Sequence, residues 1–513
     1  MMTWMNCKPP TNNMMTQSIV LPVLIPLFTG IIILLLRGRS GVIRVVSLVG
    51  SFLALLTAVG LLIRVAEGDI LVAQMGGWKA PYGITFVVDL FSAIMLTLGT
   101  LMGLVVQIYA VGSIDRGREQ MGFYALYQFL LLGVCGSFIT GDLFNLYVFF
   151  EVMLISSFGL MTLGGERGQL EGGLKYVVIN MVSSILFVSA LGIVYGTAGT
   201  LNMADLSEKL SAAAPGLTTL LASLFLVAFG IKAGLFPLFF WLPASYHTPP
   251  PAISAIFAGL LTKVGVYALI RVFTLIFLQD GTYTHNLLLV IAGLTMLVGV
   301  LGAVAQNGIR RVLSFHIISQ IGYMIMGLGI FTPLALTGAI FYITHHIIVK
   351  TALFLVSGVV EHRGGTADLK KLGGVIRSYP ILAVLFLIPA LSLAGLPPLS
   401  GFFSKFVLIR AGLESEQYVM VGVSLFVSLL TLFSMMKIWN EAFWKPRPES
   451  EEPVLPDTEP AGSAWLRLMP IAALALFSLL LGLGAEGIYT LTYTAAATLL
   501  QPELYITAVL GRQ

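Results

Sequence analysis

About fourteen apolar runs of roughly twenty residues follow one another along this chain, and about twenty is the length an α-helix needs to cross a bilayer. In lipid every backbone polar group must be satisfied within its own segment, so such runs have to be helices. They lie near 18–36, 42–65, 84–113, 121–140, 142–163, 174–197 and 217–241, then 251–275, 286–305, 310–330, 333–360, 380–410, 416–443 and 468–497. Only 10% of residues are charged, where a soluble domain carries about 25%. The pattern predicts an all-α polytopic membrane protein with about fourteen transmembrane helices, several long enough to tilt, kink or break.

Arginine and lysine load alternate loops: Arg37, Arg39 and Arg44; Arg116 and Arg118; Arg167 and Lys175; Arg310 and Arg311; Arg363, Lys370, Lys371 and Arg377; Lys445, Arg447 and Arg467. Positive loops stay in the cytoplasm, which places both termini outside. The formal charge of +4 comes from these loops. No basic stretch is interleaved with aromatics, so a nucleic-acid partner is not expected. Cys7 and Cys135 suggest neither a disulfide framework nor a metal site. The first residues are polar, so the run from Ser18 reads as a first helix and not a cleaved signal, with Met14 or Met15 as alternative starts. KPRPESEEPVLPDTEPAGS reads as a flexible cytoplasmic loop.

AGLFPL (Ala233–Leu238) recurs as AGLPPL (Ala394–Leu399). Each sits inside a long span, the seventh and the twelfth. An offset of five helices reverses orientation, so helices 4–8 and 9–13 form a pair of inverted five-helix repeats with helices 7 and 12 broken. Paired Gly/Pro interruptions of this kind point to a transport site. The expected division is an N-terminal extension (1–17), helices 1–3 (18–120), a first repeat (121–275), an inverted second repeat (286–443), a cytoplasmic loop (444–467), and helix 14 with the C-terminus (468–513).

A charge at mid-bilayer depth costs about 2.5–3.5 kcal/mol on insertion scales and is functional by default. Glu151 lies nine residues past Asp142, well inside the fifth span. Lys232, Lys263 and Lys405 lie in the seventh, eighth and twelfth spans, His316 in the tenth, and His345, His346 and Lys350 in the eleventh. His346 and Lys350 are i, i+4 and share a helix face, while His345 is turned about 100° away. So one histidine at most is expected to join Lys350. Lysine, histidine and glutamate linked by water are what a proton relay requires, because coupled buried groups exchange protons when a neighbour's charge moves.

Each residue has a plainer reading. An intramembrane lysine can bond a carbonyl or snorkel, a histidine can be a hydrogen-bonded core residue, and Asp142 can be only a helix N-cap. Lys437 and Glu441, i, i+4 near an interface, read as an ion pair. His247, at the cytoplasmic end of the seventh span, reads as a loop histidine. No Cys cluster, P-loop or Rossmann fingerprint appears, so no cofactor is expected.

Together these residues resemble the antiporter-like subunits shared by respiratory complex I and the Mrp-type multisubunit cation/proton antiporters. The resemblance runs from about the third span to the thirteenth. It rests on GDLFNLYVFFEV with Glu151, on Lys232, Pro237, Trp241, Leu242 and Pro243 with the following TPPPAISA, on KVGVYAL, and on LPPLSGFFSK with Lys405. Within the family the chain is most similar to the D-type branch of the Mrp antiporter subunits, above all in THHIIVKTALFLVSG. The resemblance implies a hydrophilic axis at the membrane midplane, with a Glu151–Lys232 pair, a central relay through Lys263, the helix-eleven histidine (His346) and Lys350, and a terminal Lys405. His316 is a looser match, His345 and Asp142 are secondary candidates, and no role passes to His247.

The expected function is proton translocation as one subunit of a Na+/H+ antiporter in the bacterial plasma membrane. It is a secondary transporter and not an enzyme. Its partners would be the other subunits, membrane lipid and H+, with Na+ as a further candidate. The rival expectation is a proton-pumping subunit of a complex I-type NADH:quinone oxidoreductase. A solute transporter would need a substrate pocket in place of charges strung across helices.

Overall fold

The computed structural model describes residues 18–36, 38–67, 69–278, 281–448 and 461–511. The N-terminal extension with Cys7, Arg37, and most of the Pro- and Glu-rich loop lie outside the described residues. Twelve of the described helices are long and apolar enough to cross a membrane. Two shorter apolar helices, Phe123–Ile139 and Pro380–Ala394, join them. The chain is a multi-pass membrane protein.

Burial sorts the helices into an inner and an outer set. The apolar windows of Pro251–Leu275 and Pro333–Gly364 are entirely buried, whereas those of Ser18–Leu35, Ser40–Val65 and Arg167–Ala198 are no more than 39% buried. The two innermost helices therefore carry Lys263, His345, His346 and Lys350, each with no measurable exposure. A helix buried all round has no need of an amphipathic stripe; its polar residues face protein, not lipid.

The starts of these helices follow ordinary capping chemistry. Asp142 accepts from Asn145 N at 2.9 Å and caps Leu143–Thr162. Thr332 accepts from Ala335 N at 3.2 Å, with Pro333 at the first helical position. Pro251 opens its helix in the same position. Proline suits that place because its missing N–H would be unpaired anyway.

Three features differ from the sequence-based expectation. First, the fold is not wholly α-helical. Leu71–Gln74 and Thr85–Val88 pair antiparallel, Leu71 opposite Val88 and Gln74 opposite Thr85. The run near 84–113 hides the change of state because β-branched Thr85, Val87 and Val88 lead directly into an apolar helix. That helix, Leu90–Val111, starts where Asp89 and Ser92 form a capping box. Second, of the paired Gly/Pro interruptions it is the glycines that end the half-helices. Pro215–Ala233 ends at Gly234 (φ 80°), where Leu235 N bonds Gly230 O at 2.9 Å. Pro380–Ala394 ends at Gly395 (φ 93°), where Leu396 N bonds Leu391 O at 3.1 Å. Both are Schellman-type stops, which need a left-handed residue. Pro237, Pro397 and Pro398 come after the stop. Third, the run 468–497 is two helices, Ala461–Leu483 and Ala485–Leu499.

Candidate functional site: a chain of buried cations

The first break carries Lys232 in the last turn of its half-helix. The Lys232 ammonium does not touch Glu151 directly. Ser184, from the helix Arg167–Ala198, stands between them. Its hydroxyl donates to Glu151 Oε1 and accepts from Lys232 Nζ at 3.4 Å. The ammonium also lies 5.2 Å from the Phe150 ring centroid. Sequence reasoning missed Ser184, since a lone serine in an apolar helix carries little signal. Behind the break, Trp241 Nε1 donates to Ile231 O at 3.0 Å and holds the next segment against the half-helix.

The inner helix Pro251–Leu275 is wedged against this site. A Cβ on Gly265 would stand 2.7 Å from Ala233 N and 3.0 Å from Lys232 C. Only glycine lets the two backbones approach so closely. Two residues earlier, Lys263 donates to Ala258 O. Ala258 belongs to a π-helical turn, Phe257–Leu261, a local widening common at functional sites. The same turn packs on the central helix, where a Cβ on Gly259 would meet Thr351 Oγ1 at 2.3 Å.

On the central helix Pro333–Gly364, His346 lies within electrostatic reach of both Lys263 and Lys350. Its two ring nitrogens are buried with no hydrogen-bond partner, and its ring stacks near Tyr342 at 6.2 Å between centroids. Lys350 Nζ donates to Leu313 O at 3.1 Å. Buried polar atoms are almost always bonded, so an imidazole with no protein partner at either nitrogen stands out among the buried polar groups described.

His345 points elsewhere, as its 100° offset requires. Its Nδ1 lies 2.9 Å from Ser400 Oγ at the second break. Lys405, beyond that break, reaches back to it: Nζ donates to Leu393 O at 3.0 Å, Ala394 O at 3.2 Å and Ser428 Oγ at 2.7 Å. These carbonyls close the preceding half-helix, whose C-terminal dipole favours a cation. His316 Nε2 is 2.5 Å from Ser434 Oγ and its Nδ1 has no partner. Its surroundings include Lys350 and Lys405 within electrostatic reach. Tyr342 donates to Gln320 Oε1, and Tyr323 donates to Ser424 O and Ser428 Oγ. Tyr342 thus lies beside the His346 ring, and the Tyr323 ring centroid is 5.0 Å from the Lys405 ammonium.

Among the described residues, no carboxylate forms an ion pair with Lys232, Lys263, Lys350 or Lys405. Asp142 stays at the head of its helix as the N-cap, about 13 Å along the axis from Glu151. His247 accepts from Arg311 Nε at 3.2 Å through Nε2, so Nδ1 must carry the proton it gives to Pro243 O at 2.9 Å. Burial and the Arg311 charge push its pKa down to about 4, against the pull of the Pro243 carbonyl. Lys437 and Glu441 are not paired. Lys437 Nζ donates to Val304 O at 3.1 Å and Gln306 O at 2.7 Å, while Glu441 bonds Lys445. The π-helical turn Trp439–Trp444 changes the register between them.

One further buried charge went unremarked in the sequence. Arg271 forms a two-pronged ion pair with Asp89, 2.6 Å and 2.8 Å. Tyr505 lies over the guanidinium at 5.3 Å. An arginine within the run 251–275 was the available signal. The pair ties an inner helix to the strand–helix junction at Asp89 and lies outside the lysine–histidine chain.

Known proteins share this fold. The family model described as NADH:quinone oxidoreductase/Mrp antiporter, TM, matches residues 140–431. The chain is 50% identical over 497 residues to the D subunit of the Na(+)/H(+) antiporter of Alkalihalophilus pseudofirmus, covering 97% of this chain and 100% of that relative. A chain in the solved Mrp complex from Dietzia sp. DQ12-45-1b superposes with a TM-score of 0.90 at 35% identity, over 97% of this chain and 100% of that one. A chain of respiratory complex I from Thermus thermophilus gives 0.78 at 25% identity, over 94% and 99%. The chain therefore belongs to the NADH:quinone oxidoreductase/Mrp antiporter transmembrane family.

Proposed function

We propose that this chain is the proton-translocating subunit of a multisubunit Na+/H+ antiporter in the bacterial plasma membrane, a secondary transporter and not an enzyme. Its partners are the other subunits, with lipid around it, H+ as its cargo and Na+ as the cargo of the assembly. The observation that carries the reading is the row of buried lysines without carboxylate partners, centred on His346 with both nitrogens free. Intramembrane charge is rare and by default marks an ion or proton pathway, and backbone carbonyls alone hold Lys263 and Lys350 here. In this reading protons pass along Lys232, Lys263, His346, Lys350 and Lys405, with His316 and His345 alongside. Glu151, acting through Ser184, toggles the proton affinity of Lys232. The two glycine-stopped breaks mark equivalent places in two inverted repeats, 121–275 and 286–443. The likeness to complex I is the more distant one, at 25% identity against 50% for the antiporter relative.

The test is antiport in vesicles carrying the assembled complex. Lys232→Ala and Glu151→Ala should each abolish Na+-driven proton movement while the protein stays in the membrane. Normal activity in either variant would refute the role assigned to that residue. Purification of the native assembly with iron–sulfur or flavin subunits would sink the antiporter reading itself.

A further inference from the structure

Ser478 is a polar residue in the apolar stretch LFSLLL of the helix Ala461–Leu483. It is fully buried. Its hydroxyl lies 3.1 Å from Ser392 Oγ and 3.4 Å from Ser400 Oγ. Ser392 and Ser400 are themselves 3.2 Å apart. Hydroxyls from three helices thus close a triangle at the second break. Nδ1 of His345 joins it, 2.9 Å from Ser400 Oγ and 3.4 Å from Ser392 Oγ. The packing leaves no slack. A Cβ on Gly401 would stand 1.8 Å from Ser392 O and 2.9 Å from His345 Cε1. A Cβ on Gly482, one turn beyond Ser478, would stand 2.3 Å from Pro398 O.

Each hydroxyl both donates and accepts, and its hydrogen rotates freely. The triangle can therefore run in either sense. When Nδ1 of His345 carries the proton, it donates to Ser400. When Nδ1 is bare, it accepts from Ser400, and the proton sits on Nε2, which is buried without a partner. A ring of hydroxyls serves both tautomers, where a fixed carbonyl or amide would serve only one. Lys405 lies within electrostatic reach of His345. Ser392 immediately precedes Leu393 and Ala394, whose carbonyls hold the Lys405 ammonium.

We propose that Ser478 of the helix Ala461–Leu483 is the positioning residue that keeps both His345 tautomers available to the relay. This rests on the proposed proton translocation. With Nδ1 protonated, Ser400 accepts and turns its own hydrogen toward Ser392 or Ser478; with Nδ1 bare, Ser400 donates to it and Ser478 and Ser392 bond each other.

The experiment measures Na+-driven proton movement by the assembled complex bearing Ser478→Ala, Ser478→Thr or, as a control, Lys232→Ala. Ser478→Ala should lower the rate about tenfold, the scale of one lost buried hydrogen bond. Ser478→Thr keeps the hydroxyl and should restore most of the rate. If Ser478→Ala works at the wild-type rate while Lys232→Ala is dead, this inference falls and the broader reading stands. Equal impairment by alanine and threonine would show a packing role only and would also overturn it. An active Lys232→Ala complex would overturn the parent reading. Should Ser478→Ala fail to assemble, Ser392→Ala is read in the same way.

Discussion

Ser184→Ala is the sharpest probe of the first break. The serine hydroxyl donates to the Glu151 carboxylate and accepts from Lys232 at 3.4 Å. A hydrogen bond to a charged group is worth about 1.5–3 kcal/mol. The Lys232 contact is at the long end of the range and adds less. Alanine removes both contacts and leaves Glu151 and Lys232 to interact across the gap. If that coupling governs proton transfer, each 1.36 kcal/mol lost is tenfold in rate, so Ser184→Ala should slow antiport about ten- to a hundredfold. Inverted vesicles loaded with a pH-sensitive dye measure the rate, normalised to assembled complex. Ser184→Thr, which keeps the hydroxyl, should stay near wild type. A Ser184→Ala complex within about twofold of wild type, less than half a kcal/mol, would refute the claim that Glu151 acts on Lys232 through this serine.

Two other outcomes follow from groups outside the lysine–histidine chain. Arg271→Ala leaves Asp89 buried and unpaired, which should cost about 3–5 kcal/mol; thermal unfolding of the detergent-purified complex should show a lowered midpoint, and an unchanged one would contradict a stabilising role for the pair. His247, held neutral with its pKa pushed down to about 4, resists protonation in the fold more than in the unfolded chain. Its stabilising contribution is therefore complete above about pH 6.5 and is lost as pH falls from there through the folded value. Thermal melts of wild type and His247→Gln should diverge at neutral pH and converge in acid; parallel melts across that window would show that His247 and Arg311 do not latch.

The spans were legible because their apolar runs are long and lipid leaves the backbone no alternative to helix. Lys232, Lys263, Lys350 and Lys405 were legible because a charge in such a run is rare. The strand Thr85–Val88 was not, since it adjoins the next helix without a polar break. Ser184, Tyr342 and Ser478 were not, because a neutral polar side chain looks the same in sequence whether it bonds its own helix or a distant side chain. Asp89 and Arg271 are 182 residues apart, so neither announces the other. Proline drew attention to both breaks, but the glycines at 234 and 395 end the helices. A left-handed stop is a matter of backbone angle, which one residue letter conveys weakly. The pairing expected for Lys437 and Glu441 failed for a similar reason, because a π-helical turn shifts the faces on which i, i+4 arithmetic relies.

The two breaks also differ mechanically. Lys232 belongs to the half-helix that stops at its break, so its ammonium ties that segment to the Glu151 side of the protein and spans no gap. Lys405 belongs to the segment beyond its break, and its ammonium grips the carbonyls of Leu393 and Ala394 on the near side. It is a staple across a joint. An ammonium offers three donors, and three acceptors meet them: those two carbonyls and Ser428 Oγ. The neutral amine offers only two, and weaker ones. The joint at Gly395 is therefore stiff when Lys405 is charged and looser when it is not, while the joint at Gly234 has no such dependence on its own lysine.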